Sequence, residues 1–211
     1  MTPDGSSPEG SGIVVVDKPP GLTSHDIVAR ARRTLGTRKV GHAGTLDPMA
    51  TGVLVLAFGR GTRLLGHLAG AEKVYEATVR LGAATTTDDA EGETLETTSA
   101  NDVGEADVEA VLLGFLVEVQ QVPSSVSAIK VGGRRAHALV RAGEDVSLQP
   151  RTVTIHELTA GDFRHSDDFL DFDLVVRCSS GTYIRAIARD VGAALGVGGH
   201  LTRLRRTRVG P

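Results

Sequence analysis

Between Lys73 and Leu81 apolar and polar residues alternate, with Tyr75, Ala77, Val79 and Leu81 on one face and Glu76, Thr78 and Arg80 on the other. A period of two from Tyr75 to Leu81 belongs to a strand that is buried on one side only. Such a strand needs a sheet with a core beneath it, and Tyr75 therefore points inward. The rest of the chain supplies that sheet. Residues 13–16 read as a buried strand, ended by the turn-forming run Asp17-Lys18-Pro19-Pro20-Gly21, and residues 53–58 read as another. Residues 152–158 and 170–178 add two more strands.

Helices are interleaved irregularly with these strands. Ser24 is placed as an N-cap, followed by the stripe Ile27, Val28, Ala31 and Leu35 and a stop at Gly36. A short helix is expected over 62–69, and Val108, Val111, Leu112 and Phe115 form a third stripe. Thr182 is placed as the cap of a last helix, in which Ile184, Ile187, Ala188, Val191 and Leu195 face the core and Gly196 ends the run. Arg185 and Arg189, four apart, share another face. No βαβ repeat is sustained, so the expected fold is an α/β domain with a mixed, largely antiparallel sheet and flanking helices.

At 211 residues, with 40% apolar and 23% charged residues, the chain can bury a core. Its longest apolar runs fall far short of the roughly 20 residues needed to cross a bilayer, and no membrane partner is expected. Residues 1–12, rich in Gly, Ser and Pro, lack the pattern of a signal peptide and are expected to be a loose tail ahead of one domain over 13–211. Cys178 is the lone cysteine, so no internal disulfide or Cys-based zinc site is possible, and a reducing cytoplasmic location fits. A monomer is expected.

The net charge of −3 alone argues against a nucleic-acid partner, but its distribution does not. Residues 82–110 carry nine acids and no Lys or Arg. Three segments lean the other way: Arg30, Arg32, Arg33, Arg38 and Lys39; Lys130, Arg134, Arg135 and Arg141; and Arg177, Arg185, Arg189, Arg203, Arg205, Arg206 and Arg208, opposed between them only by Asp190. A basic face with an acidic back can hold a polyanion at near-neutral overall charge.

The segment 38–52, Arg-Lys-Val-Gly-His-Ala-Gly-Thr-Leu-Asp-Pro-Met-Ala-Thr-Gly, is the most unusual in the chain. Its glycines let backbone approach a ligand closely, and Pro48 biases Asp47 towards an extended conformation. The loop resembles the catalytic motif of TruB-type pseudouridine synthases, bacterial enzymes that isomerise uridine 55 in the T loop of transfer RNA. The likeness runs from Gly12 to Gly210. It takes in Val16-Asp17-Lys18-Pro19, Lys73-Val74-Tyr75, the run Pro-Ser-Ser-Val-Ser-Ala-Ile-Lys over 123–130, Cys-Ser-Ser-Gly-Thr-Tyr-Ile-Arg over 178–185, Gly199-His200-Leu201 and Leu204-Arg205-Arg206.

The resemblance implies a pseudouridine synthase fold with an RNA-clamping thumb insertion at about 124–149. It implies Asp47 as the catalytic aspartate, Tyr75 against the flipped base, and Arg185 as the arginine paired with Asp47. His42 would occupy the space the target base leaves, and Leu204 would line the uracil pocket. Lys18, Gly44, Thr45, Arg63 and Lys130 are carried over as substrate-binding positions. The implied partner is the T stem-loop of tRNA.

The chemistry suits these residue types. Uridine becomes its C-glycoside when the N1–C1′ bond breaks, the uracil turns, and C5 bonds to C1′. No atom is added or lost, so no cofactor is expected. A glycosidase needs two carboxylates because it must also activate water, whereas an isomerase that keeps its uracil can use one. Asp47 can attack the sugar or take a ribose proton, and the sequence leaves both routes open. A carboxylate ionised in a closed pocket calls for a cation, and Arg185 at contact distance supplies about 4 kcal/mol of Coulomb attraction at an effective dielectric near 20. Seven histidines show no metal-ligand spacing, so no metal is expected. The target uridine must be flipped out at a cost of a few kcal/mol, and with 3% aromatic residues its recognition rests on phosphates and shape rather than stacking.

The chain departs from the family pattern at three places. Arg63 stands where lysine is common, His137 stands where the thumb commonly has tyrosine, and the sequence stops at Pro211, short of the usual small C-terminal RNA-binding domain. The last predicts weaker tRNA binding with the chemistry retained. The rival reading is a non-catalytic RNA-binding module on the same basic face, and the intact set of Asp47, Tyr75 and Arg185 favours the enzyme.

Overall fold

A computed structural model of the chain describes residues 10–124 and 148–211, together with the backbone of 130–131 and 134–135. Residues 1–9 of the expected tail, the thumb interior with His137, and the side chain of Lys130 lie outside the described residues, whereas Gly12, expected in that tail, already opens the first strand. The chain divides into two compact units, Met1–Val74 with Arg205–Pro211, and Tyr75–Leu204.

In the first unit β1 (Gly12–Lys18) pairs antiparallel with β3 (Thr51–Phe58), Gly12 opposite Phe58 and Lys18 opposite Gly52. The short β2 (Val40–His42) pairs antiparallel with β3, Val40 opposite Phe58. The end of β12 (Gly199–Val209) lies parallel to β3, Arg206 opposite Gly52. Gly52 has φ +98°, and a Cβ there would strike the Arg206 carbonyl oxygen, so only glycine lets the two strands meet. β1 is not the buried strand the sequence suggests: it ends the strand order, and Val15 is 64% exposed. A continuous apolar run does not distinguish a central strand from an edge strand.

Helix α1 (Ser24–Thr34) starts one residue earlier than expected, with Thr23 as its cap. Thr23 Oγ1 accepts from the Asp26 N–H at 3.1 Å and Asp26 Oδ2 accepts from the Thr23 N–H at 2.8 Å, a reciprocal capping box. Ile27 and Val28 are buried, and Gly36 turns the chain at φ +60°. The helix expected over 62–69 is a 3-10 helix, Gly59–Leu64, running into α2 (Leu65–Gly70).

The second unit is built on β4 (Lys73–Leu81), whose Tyr75, Ala77, Val79 and Leu81 are buried as the alternation requires. The strand order continues from β12 through β4, β11 (Phe169–Cys178) and β10 (Arg151–Ser166) to β7 (Val117–Gln121). β11 also alternates, burying Leu170, Phe172, Leu174, Val176 and Cys178. On the polar faces Arg80 makes a two-pronged contact with Asp171, both distances 2.7 Å, and Thr78 donates to Asp173 at 2.9 Å. A small hairpin, β5 (Ala83–Thr85) with β6 (Thr94–Thr97), opens the acidic segment.

Helix α3 (Glu105–Leu113) buries Val108 and Leu112, but Gly114 stops it before Phe115, and β7, unforeseen in the sequence, follows. β8 (Lys130–Val131) and β9 (Arg134–Arg135) pair antiparallel within the insertion. The last helix, α4 (Ile184–Ala194), buries Ile184, Ile187, Ala188 and Val191 as expected. Its cap is Tyr183 rather than Thr182, whose hydroxyl donates instead to the Ser179 carbonyl at 3.0 Å. The mixed, mostly antiparallel α/β architecture is the one expected. Among the described residues no helix is long and apolar enough to cross a membrane.

Candidate active site

In the first unit the loop between β2 and β3 carries Asp47, which is half-buried. The backbone around it is gripped by side chains from three other elements. Ser24, at the start of α1, accepts from the Leu46 N–H at 2.8 Å and donates to the Leu46 carbonyl at 3.1 Å. Lys18, at the end of β1, is fully buried and donates to the carbonyls of Leu22 at 2.6 Å, Pro19 at 3.0 Å and Pro48 at 3.2 Å. Arg206, on β12 and also buried, donates to the carbonyls of Val53 at 2.8 Å, Gly44 at 3.1 Å and Thr45 at 3.4 Å. The Gly21 N–H adds a bond to the Pro48 carbonyl at 2.9 Å.

A charged donor taken out of water is tolerable only where acceptors replace its hydration. Loop carbonyls supply them here, so the same bonds that stabilise the two cations fix the loop. Residues 44, 45, 46 and 48 are thereby held on both sides of Asp47. This gives Lys18, carried over as a substrate-binding position, a positioning role in the loop. Gly44 has φ +94° with ordinary spacing around a built Cβ, so the conformation rather than lack of room calls for glycine. Thr45 is exposed, and Arg63 is exposed on the 3-10 helix.

His42, at the end of β2, meets His25 edge-on with ring centroids 5.5 Å apart. Burial pushes its imidazole below its ordinary value, and the charges of His25 and Arg206 act in the same direction. A neutral ring at neutral pH follows.

In the second unit Arg185 does not share an open helix face with Arg189. It is 3% exposed, its Nη1 lying 3.3 Å from Asp89 Oδ2 and donating to the Thr87 carbonyl at 2.7 Å. Asp89 is as deeply buried, and it also accepts from the Thr87 hydroxyl and, at 3.0 Å, from the Glu91 N–H. The helix start is held by Gln121, which donates to the Tyr183 carbonyl at 3.0 Å and accepts from the Tyr183 N–H at 2.8 Å. Arg189 reaches Asp88 at 3.3 Å, Asp190 at 2.8 Å and the Val122 carbonyl at 2.7 Å. Burial raises the Asp88 carboxyl above its usual range, with Arg189 and Arg185 opposing that rise. Tyr75 and Leu204 are buried in the same unit.

Asp47, His42, Lys18, Gly44, Thr45 and Arg63 thus belong to the first unit and Tyr75, Arg185 and Leu204 to the second. Four residues were not foreseen: Ser24, read as a cap; Arg206, read as part of a basic cluster; Asp89, read as part of an acidic back; and Gln121. The third basic cluster is far from opposed by Asp190 alone. Arg177 meets Glu157 at 2.8 Å, Arg203 meets Glu76 at 3.5 Å, and Arg205 meets Asp17 at 2.8 Å, in addition to the pairs made by Arg185 and Arg189. Those carboxylates are distant in sequence, so no local charge count reveals them.

Residues 32–184 match the family described as TruB family pseudouridylate synthase (N terminal domain), and residues 185–211 match the tRNA pseudouridylate synthase B C-terminal domain. The chain is 63% identical over 204 residues to the tRNA pseudouridine synthase B of Thermobifida fusca (strain YX), covering 95% of this chain and 70% of that protein. It is 61% identical over 201 residues to the protein of the same name from Cutibacterium acnes (strain DSM 16379 / KPA171202), covering 95% and 68%. Among solved structures, a chain of a Cbf5-Nop10-Gar1 complex superposes with a TM-score of 0.69 at 33% identity, and a chain of an H/ACA RNP bound to a substrate RNA containing 2′-deoxyuridine with 0.68 at 32%. Each superposition covers 95% of this chain and about half of the other, 49% and 48% respectively.

Proposed function

The chain belongs to the TruB family of pseudouridylate synthases, and from that premise we propose that it isomerises uridine to pseudouridine in tRNA, at position 55 of the T loop. Asp47, Tyr75 and Arg185 form the catalytic set. Asp47 acts on the ribose, as a nucleophile at C1′ or as a base on a ribose proton. The N1–C1′ bond breaks, the uracil turns within the pocket, C5 joins C1′, the proton on C5 leaves to solvent and the freed N1 takes one up, so atoms balance without a cofactor.

The observation that carries this reading is the grip on the loop around Asp47. A reacting carboxylate must be held to a fraction of an ångström, and Ser24, Lys18 and Arg206 anchor its neighbours at residues 44, 45, 46 and 48. Tyr75 is the group against the extruded base, Leu204 a wall of the uracil pocket, and neutral His42 a filler of the space the base leaves. Thr45, Arg63 and Lys130 are substrate-binding positions.

The experiment is release of tritium from C5 of labelled uridine in a T-arm stem-loop. The wild type releases label and yields pseudouridine, while Asp47→Asn releases none and still binds the RNA. Label released by the Asn variant at the wild-type rate would remove Asp47 from the mechanism. RNA binding by the wild type with no pseudouridine formed would favour the non-catalytic reading.

A further inference from the structure

Formal charge separates by unit. Over Met1–Val74 and Arg205–Pro211 the sequence holds 12 Lys and Arg against 6 Asp and Glu, whereas Tyr75–Leu204 holds 11 against 20. The net values, +6 and −9, hide inside the overall −3. In the second unit many arginines are neutralised in place: Arg80 by Asp171, Arg164 by Asp173, Arg177 by Glu157, Arg185 by Asp89, Arg189 by Asp88 and Asp190, and Arg203 by Glu76.

The first unit behaves differently. Of its described carboxylates, Asp17 is taken by Arg205 and Asp26 by the Thr23 cap. Arg33, Arg38, Lys39 and Arg60 are exposed and have no carboxylate partner among the described residues. They are also gathered by backbone contacts. Arg32 donates to the Val40 carbonyl at 3.1 Å, which ties the last turn of α1 to β2, and the Gly59 N–H donates to the Lys39 carbonyl at 2.9 Å, which sets Arg60 beside Lys39.

We propose that this face, Arg33, Arg38, Lys39 and Arg60, binds the phosphate backbone of the RNA and positions it for the loop that β2 leads into. The proposal rests on the tRNA reading above and goes beyond it by naming the surface. Uncompensated exposed cations with no interleaved acid suit a dense line of phosphates, where each contact releases a condensed counterion. Such contacts set register and orientation without reading bases. A protein partner would call for aromatic and apolar anchors at the centre of the face, and these four positions supply only charge.

The test compares the wild type with two quadruple variants of equal charge change. One is R33Q/R38Q/K39Q/R60Q. The other, in the second unit, is R151Q/R164Q/R177Q/R203Q. Binding of a T-arm stem-loop is measured from about 50 to 200 mM KCl, and pseudouridine formation by the wild type is measured separately. The first variant is expected to weaken binding by at least about tenfold and to flatten the plot of log affinity against log salt by about 1 for each phosphate it no longer neutralises. The second is expected to stay near the wild type on both counts. Equal slopes for the wild type and the first variant, or equal losses in both variants, would overturn the proposal. So would tighter binding of polyglutamate than of RNA to the wild type, which would assign the face to an acidic protein. Absence of pseudouridine with the first variant alone losing salt-dependent binding would sink the enzymatic reading and leave the surface standing.

Discussion

The Ser24 hydroxyl holds both backbone polar groups of Leu46, accepting from its N–H at 2.8 Å and donating to its carbonyl at 3.1 Å, one residue before Asp47. Both residues are buried, so neither group of Leu46 has an easy alternative in water.

Ser24→Ala leaves a buried donor and a buried acceptor unmet, each worth roughly 1–3 kcal/mol. The expected loss is about 2 kcal/mol in urea unfolding, because some relaxation is available. Turnover should fall on the order of tenfold or more as Asp47 loses its fixed position, since a 1 Å misplacement costs about 100-fold in rate. RNA affinity should change less than twofold. A variant that binds RNA poorly but turns over normally at saturation would contradict a role in positioning Asp47.

The Arg185–Asp89 pair is buried on both sides. Asp89→Asn takes a buried carboxylate away from the Arg185 guanidinium and should destabilise the protein by about 3–5 kcal/mol. The double variant Arg185→Met, Asp89→Leu removes both charges and should recover most of that stability. It should remain without isomerase activity, which separates the pair's structural part from the chemistry proposed for Arg185. Recovery of activity along with stability would show that Arg185 serves the fold alone.

Lys18 places a compact ammonium among three carbonyls. Lys18→Met should cost about 2–4 kcal/mol, because those acceptors lose a charged donor. Lys18→Arg should not rescue it, since a planar fork does not fit a site shaped for a point charge. Thermal unfolding of the three proteins at one pH decides the matter, and an Arg variant as stable as the wild type would refute the geometric argument.

His42 is held below its ordinary value of 6.5, first by burial and then by the charges of His25 and Arg206 facing it. The folded state therefore binds fewer protons here than the unfolded chain once pH falls beneath 6.5. Its contribution to stability is fully present above that pH and is lost progressively down to the folded-state value. His42→Gln should accordingly show a shallower decline in unfolding free energy than the wild type as pH drops from 6.5. The difference between the two curves, measured by urea titration at several pH values, isolates this residue from the carboxylates. A constant offset would mean that His42 titrates alike in both states.

Much of the architecture is legible in local pattern. The alternation of β4 and β11 and the stripe of α4 appear where expected, because burial on one face imposes a period that backbone geometry sets in advance. Differences arise where the pattern is ambiguous. The apolar run of β1 proved to be an edge strand, and two helix starts each shifted by one residue among neighbouring Ser, Thr and Tyr. The Asp47 loop is conspicuous in the sequence for its glycines and proline, whereas the side chains that hold it are not.

What the amino-acid order determined by itself is the alternating strands β4 and β11, the apolar stripes of α1 and α4, the candidate carboxylate on a glycine-rich loop, and the family to which that loop points. Tertiary structure alone decided which charges meet. Ser24 reaches Leu46 across 22 residues, Arg206 reaches Thr45 across 161, and the Asp88-Asp89 turn comes from a segment that looked like a solvated acidic back. Hydrogen bonds and ion pairs act over a few ångströms of space regardless of separation along the chain, so their partners become known only when the sheet brings distant strands side by side.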